Sequence, residues 1–461
     1  MTIGIDLSSL QGAHRMRGIG YTLINLINNV SSADRQKHHF VFYAHPDNGN
    51  EGPLDILDLT GFDYEIRYLS TTERFYRRNH EAQTPAGGFN GFWPKLVSAR
   101  QWLQRRLPQR LQRLLTSFSD NFYAVIEHSF GDARFNDSGD LDVFLQTNPS
   151  ASLPRSRHMK KVLIIYDIIP YVLEWEYLWS YKTARRHGFS RKAAFRVHVR
   201  RWLYAYKVKV NTKRADVLLA ISEHTKQDFV RYLGINKKRV VVKPLGINLP
   251  DEKSIKKVAL KHYVKTSWGY MKRSLSLDPE VPFVLYVGGA DKRRKLEDLV
   301  AAFNILRAQG INFKLVLAGD CMQGPENIAT EEIQHAMKIS SYKDDIIFMG
   351  FVDDKTRDWL YDNARAFVFP SRYEGFGLPV LEAMSYGTPV ISYDNAATKE
   401  VAKDCPTYVN DTLGLADAMK KYLNYSLQRL EKEHDRNVAQ ARKWTWAKTS
   451  QVILDKLSGL A

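Results

Sequence analysis

Residues 367–390 read FVFPSRYEGFGLPVLEAMSYGTPV and hold two glutamates, Glu374 and Glu382, eight positions apart around a glycine-rich turn. A buried strand ends at Pro370 and a loop with Glu374, Gly375, Phe376 and Gly377 follows. A helix is expected next, with Pro379 at its first position, where the fixed φ and missing N–H are tolerated. Glycines let a ligand approach the backbone closely. The amides around 376–380 and the helix dipole form an anion site suited to a phosphate. Glu382, one turn into that helix, is placed to accept hydrogen bonds from ribose hydroxyls, and Glu374 from sugar hydroxyls. Either glutamate alone reads as a loop charge or a helix-dipole partner. Together, around one helix start, they fit a nucleotide-sugar better than a bare nucleotide.

The elements that must carry this segment alternate regularly. β-rich runs at 3–7, 39–44, 142–147, 161–167, 216–222 and 240–244 form one series, with an apolar-periodic stretch at 20–30. Runs at 282–289, 313–320, 345–351, 365–371 and 389–394 form a second, with LEDLVAAFNIL (296–306) as a helix. Near-continuous Val/Ile/Leu strands separated by helices imply parallel sheets covered on both faces. Two such series predict two Rossmann-like, doubly wound α/β domains. The polar, lysine-rich segment 248–281 is the expected joint, dividing the chain into 1–250 and 251–442, with a helical tail at 443–461.

Composition bounds the rest. The chain has 461 residues, 44% hydrophobic, 25% charged and 12% aromatic, which excludes disorder, collagen and coiled coil. Two cysteines, Cys321 and Cys405, cannot build a disulfide framework or a four-ligand zinc site, so a reducing, cytoplasmic compartment is expected. The richest apolar run, 162–173, contains Asp167 and is too short for a bilayer span of about 20 residues. The N-terminal MTIGIDLSSL has no basic segment and reads as a strand, so no signal peptide is expected.

Charge is uneven. Residues 1–250 hold 37 Lys and Arg against 22 Asp and Glu, nearly all of the net +17 of the chain. Such an imbalance speaks of partners: nucleic acid, an anionic membrane surface or a polyanionic substrate. Two stretches stand outside the alternation. The first, within 68–120, has at its core six Lys/Arg and no acid over 93–118, with leucines at helical spacing. The second, 181–214, has twelve Lys/Arg and no acid, interleaved with Phe189, Phe195, Trp202, Tyr204 and Tyr206. Each reads either as a solvated basic helix face or as an interfacial helix on anionic lipid. No zinc-finger, RRM or KH signature points to nucleic acid.

The Glu374–Glu382 pattern, E-x7-E within SRYEGFGLPVLEAMSYGTPVI, resembles the signature of glycosyltransferase family 4, retaining enzymes of GT-B fold. Other segments are similar in the same order: Gly18-Ile19-Gly20-Tyr21, ADVLLAISEHTKQDF (215–229), VVVKPLGIN (240–248), YVGGADKRRKLEDLVAAF (286–303) and MGFVDD (349–354). The tail with Trp444 and Trp446 resembles the helix that crosses back onto the first domain.

The resemblance implies two domains facing a cleft, the acceptor on the first and the donor mainly on the second. It implies that Glu374 binds the donor sugar and Glu382 the ribose, with the backbone of Gly375, Phe376, Gly377 and Leu378 at the sugar and phosphate. Gly20 would meet the diphosphate from across the cleft, and Phe351 and Val352 belong to the donor site. The family's basic pair, Arg and Lys five apart, corresponds to Gly289 and Arg294, so Arg293 or Arg294 takes over the leaving diphosphate. Where many members carry His-Asp, this chain has Tyr166-Asp167, candidates for contact with sugar or acceptor.

No metal site is assigned. Asp140 and Asp142 precede their strand, whereas ligand sites of open α/β sheets lie at strand C-ends, so both read as structural. Arginines and a helix terminus would meet the diphosphate charge, with no cofactor. The expected activity is retaining, metal-independent transfer of a hexosyl group from a nucleotide-diphosphate sugar to a glycan or lipid-linked acceptor, in polysaccharide or glycoconjugate synthesis. Rivals are other GT-B chemistry, an epimerase or phosphorylase, and a basic nucleic-acid-binding protein on a degenerate transferase fold.

Overall fold

The computed structural model describes residues 1–11, 18–44, 55–69, 139–149, 151, 153–154, 156–177, 179–250, 281–319 and 331–460. The basic segment at 68–120, apart from its first two residues, Cys321 and the joint at 251–280 lie outside them.

The first sheet has seven parallel strands in the order β3-β2-β1-β4-β5-β6-β7. They are β1 (Thr2–Asp6), β2 (His39–Ala44), β3 (Asp63–Tyr68), β4 (Val143–Gln146), β5 (Lys160–Ile165), β6 (Val217–Ala220) and β7 (Val240–Val242). The second has six, in the order β10-β9-β8-β11-β12-β13. These are β8 (Phe283–Val287), β9 (Lys314–Ala318), β10 (Ile346–Gly350), β11 (Ala366–Phe369), β12 (Val390–Tyr393) and β13 (Thr407–Val409). Both sheets are therefore Rossmann-like, and their buried Val/Ile/Leu runs sit under helices on each face. Each reverses its strand order next to its first strand, β1 against β4 and β8 against β11, where a crevice opens at the strand C-ends.

The edge strands β3 and β13 add to the strands legible in the sequence. The C-terminal helix Trp446–Ser458 returns to the first sheet's side. Ser450 Oγ donates to Leu26 O at 2.8 Å, and Thr449 Oγ1 to Pro244 O at 3.1 Å. Ile247 bridges to Thr445, and buried Trp446 meets the Tyr21 ring edge-on.

Asp140 and Asp142 stand at the N-terminal end of β4. Arg67 Nη1 donates to Asp140 Oδ1 at 2.9 Å and the Thr2 amide to Asp142 Oδ2 at 2.8 Å. Among the described residues no helix is long and apolar enough to cross a membrane. Cys405 is a buried free thiol.

Candidate active site

Between the two sheets lies a cleft of about 750 Å3. Its floor is the turn after β8. Gly288 has φ +154°, and a Cβ there would lie 2.2 Å from Arg294 Nη1, so only glycine lets that guanidinium fold over the turn. The turn closes through a 3-10 segment, Lys292–Arg294, and a left-handed Lys295 before the helix Leu296–Ala308.

The two arginines separate here. Arg294 lines the cleft; its Nη1 donates to Tyr286 Oη at 3.4 Å and its Nε lies 3.4 Å from Glu374 Oε1. Arg293 turns inward. It donates to Tyr373 O at 3.2 Å and to Asp291 Oδ2 at 2.7 Å, and its Nη2 lies 3.4 Å from Glu374 Oε1. Burial opposes its charge, but Glu374 and Asp291 more than offset that and raise its pKa.

Glu374 is only 9% exposed yet faces the cleft. Ser371 Oγ donates to its Oε1 at 2.9 Å, and the two guanidiniums flank it. A buried carboxylate persists in such a setting only when paired and hydrogen-bonded. Gly375, Phe376, Gly377 and Leu378 continue the cleft wall, with Phe376 edge-on to Trp444.

The helix after this loop runs Leu378–Ser385, with Gly377 at its N-cap and φ +104°. Pro379 is thus its second residue. No side chain caps it, but Val380 N–H already donates to Gly377 O at 3.1 Å. The amides open to an anion are therefore fewer than the sequence suggests: Val380 is committed and Pro379 has none.

Glu382 lies deeper. Tyr361 Oη donates to its Oε2 at 3.1 Å. Burial raises its pKa, against the pull of Arg357. Arg357 lines the cleft and donates to Asp354 Oδ1 at 2.8 Å and Asp358 Oδ1 at 3.0 Å. Phe351, 64% exposed, and Val352 form the rim on that side.

The first domain supplies Gly18, Tyr21, Tyr166 and Asp167. Gly20 is buried in the helical turn between Gly18 and Tyr21 and is not part of the wall. Burial raises the Tyr21 pKa, with Glu382 across the cleft adding to it. The Tyr166 hydroxyl is buried beside Thr22. Asp167 Oδ1 accepts from the Ile169 amide at 3.2 Å, and burial pushes its pKa up to about 6 despite nearby Arg293.

Both domains grip the glutamate loop. Ser222 Oγ and Thr225 Oγ1 donate to Gly375 O at 2.7 and 3.2 Å. A Cβ on Gly375 would approach Asp167 Cβ to 3.0 Å. Tyr373 bonds to Asp228, and Arg372 pairs with Glu176.

All the sequence-nominated residues thus meet around one cleft, Arg293 and Gly20 standing just behind its wall. Sequence reasoning missed Tyr21, Asp291, Asp354, Arg357, Ser222 and Tyr361. Tyr21, Asp291, Asp354 and Ser222 lie inside segments that carry the resemblance but were given no site role there, and Arg357 carried only its helical i,i+3 spacing from Asp354.

Such a crevice, lined by arginines, carboxylates and a helix start without a side-chain cap, lies between two facing Rossmann-like domains. Residues 271–444 match the family described as glycosyl transferases group 1. The serotype-specific mannosyltransferase WbdA of Escherichia coli is 26% identical over 70% of this chain and 36% of its own. The O-antigen chain mannosyltransferase B of Escherichia coli is 28% identical over 52% of this chain and 60% of its own. This chain therefore spans between about a third and three fifths of the length of these relatives. HepE of Anabaena, solved with UDP and glucose, superposes with a TM-score of 0.56 at 14% identity, covering 99% of both chains. A sucrose-phosphate synthase of Thermosynechococcus elongatus gives 0.60 at 17%, covering 100% of this chain and 99% of its own. The fold is GT-B, and the family match rests on residues 271–444.

Proposed function

We propose that this protein is a retaining glycosyltransferase that moves a hexosyl group from a nucleotide-diphosphate sugar to a glycan or lipid-linked acceptor. The observation that carries the reading is Glu374, a buried carboxylate clamped by Ser371, Arg293 and Arg294 yet facing the cleft eight residues before Glu382. Glu374 accepts from the sugar's hydroxyls and fixes the ring. Glu382 accepts from the ribose, and Phe351 and Val352 flank the base. Arg294 and the open amides at Gly377 and Leu378 balance the diphosphate as charge builds on the leaving oxygen.

Asp167 and Tyr166 border the reacting face from the first domain. In the front-face course suggested by the resemblance, the leaving phosphate oxygen takes the acceptor hydroxyl's proton as the new bond forms. No metal or other cofactor is assigned: the Asp140 and Asp142 carboxylates are engaged by Arg67 and the Thr2 amide. Mannose is the first sugar to test, because the relatives WbdA and mannosyltransferase B are named mannosyltransferases. The basic first half suits an acidic glycan or a lipid-phosphate-linked acceptor. The place of action is the cytoplasm.

The test is product analysis by mass spectrometry with GDP-mannose and UDP-hexoses. Sugar transfer, or slow donor hydrolysis, with retained anomeric configuration is expected. Isomerised nucleotide-sugar, phosphorolysis or no turnover of any donor would contradict the reading.

A further inference from the structure

The helix Arg191–Arg214 has two faces with different tasks. At about 100° per residue, Phe195, His198, Trp202, Lys209 and Lys213 fall within one narrow stripe. All five are exposed. Phe195 is 55% and Trp202 53% exposed, unusual values for such large apolar side chains. Arg191 and Lys192 extend the stripe at its start, and the segment 181–214 holds twelve basic residues and no acid. Just before the helix, Phe189 is also exposed, held edge-on by Trp179.

The opposite face packs on the first domain behind Asp167. Tyr204, about 200° round the helix from Trp202, packs on Tyr171 at 5.9 Å between ring centroids and stands near Asp167. One helix thus joins an exposed aromatic and cationic stripe to the acceptor-side wall.

We propose that this stripe seats the protein on an anionic lipid bilayer. Phe195 and Trp202 enter the headgroup region while Lys209 and Lys213 meet lipid phosphates. Seated so, the helix would bring a lipid-linked acceptor to Asp167. Amphipathic interfacial helices combine these features: bulky apolar groups, flanking cations and no acid. The 24 residues span about 36 Å, enough for several lipid headgroups. Nucleic acid fits less well. Phe189 and Phe195 have no polar atom to read a base edge, and one face of Trp202 is already stacked on Tyr206. The acceptor clause rests on the glycosyltransferase reading; the docking clause does not.

The experiment uses the full chain in co-sedimentation with vesicles of phosphatidylcholine alone or mixed with phosphatidylglycerol, at low and high salt. Wild type should bind the anionic vesicles at low salt and release at high salt. Lys209→Glu/Lys213→Glu should bind at least about tenfold more weakly. Phe195→Ser/Trp202→Ser should lose binding with the charges intact. Both variants should keep wild-type melting and hydrolysis of soluble donor. Absence of wild-type binding at low salt, variants that bind like wild type, or displacement of vesicles by duplex DNA or RNA would overturn the proposal. A wild-type protein that binds vesicles but turns over no donor would instead sink the transferase reading and leave the docking surface standing.

Discussion

Ser222, in the first domain, donates its hydroxyl to the carbonyl of Gly375, in the second, at 2.7 Å. This bond spans 153 positions of sequence and holds the loop of Glu374 from across the cleft. The loop that carries Glu374 is therefore held by both domains.

Removing this clamp should loosen the sugar site. In Ser222→Ala/Thr225→Val, Gly375 O loses both partners, at about 1–3 kcal/mol for a buried unsatisfied carbonyl. Steady-state kinetics should show the donor KM rising about tenfold. Unchanged donor KM would separate the clamp from the site.

Gly375 tests closure by steric means. Gly375→Ala places a methyl 3.0 Å from Asp167 Cβ and 3.3 Å from Ile221 Cδ1. The domains must part by a few tenths of an ångström, so kcat/KM should fall about tenfold or more with little change in Tm.

The two neighbouring arginines should fail differently. Arg294→Ala opens the cleft wall and should lower kcat roughly a hundredfold while the protein stays folded. Arg293→Ala removes a buried guanidinium from beside Glu374, which keeps Arg294 and Ser371, and should cost roughly 1–3 kcal/mol of stability. Urea unfolding of both variants, alongside kinetics, checks the division.

Asp167 gives a pH signature. Burial raises its folded pKa from 3.8 to about 6, so the folded protein holds a proton that the unfolded chain has released. Its stabilising contribution is full below about pH 4 and is lost as pH rises through about 6. That loss amounts to about 3 kcal/mol. Asp167→Asn removes the ionisation and keeps an acceptor for the Ile169 amide. Its stability relative to wild type should therefore climb between pH 4 and 6, as followed by urea denaturation. A pH-independent difference would contradict the assignment.

What was legible in the sequence follows from burial. Strands such as β5 and β11 are apolar throughout because helices cover both faces, and that run-length shows in one dimension. The edge strand β3, DYEIRY, is half-exposed, and β13 has three residues, so neither leaves such a run. Glu374 and Glu382 were found because one short segment carries both. Tyr21 and Arg357 were not, since their approach depends on how two domains face each other. The inward turn of Arg293 depends on the 3-10 segment and the left-handed Lys295, a geometry that KRRK does not announce.

The central claim is that Glu374 holds the sugar of an activated donor while Glu382 holds its nucleoside. Calorimetric titration of the nucleotide-sugar and of the matching free nucleoside diphosphate tests it directly. Glu374→Gln should bind the nucleoside diphosphate like wild type but lose the extra affinity for the sugar donor, and Glu382→Gln should weaken both. Undiminished donor affinity in folded Glu374→Gln would contradict the account.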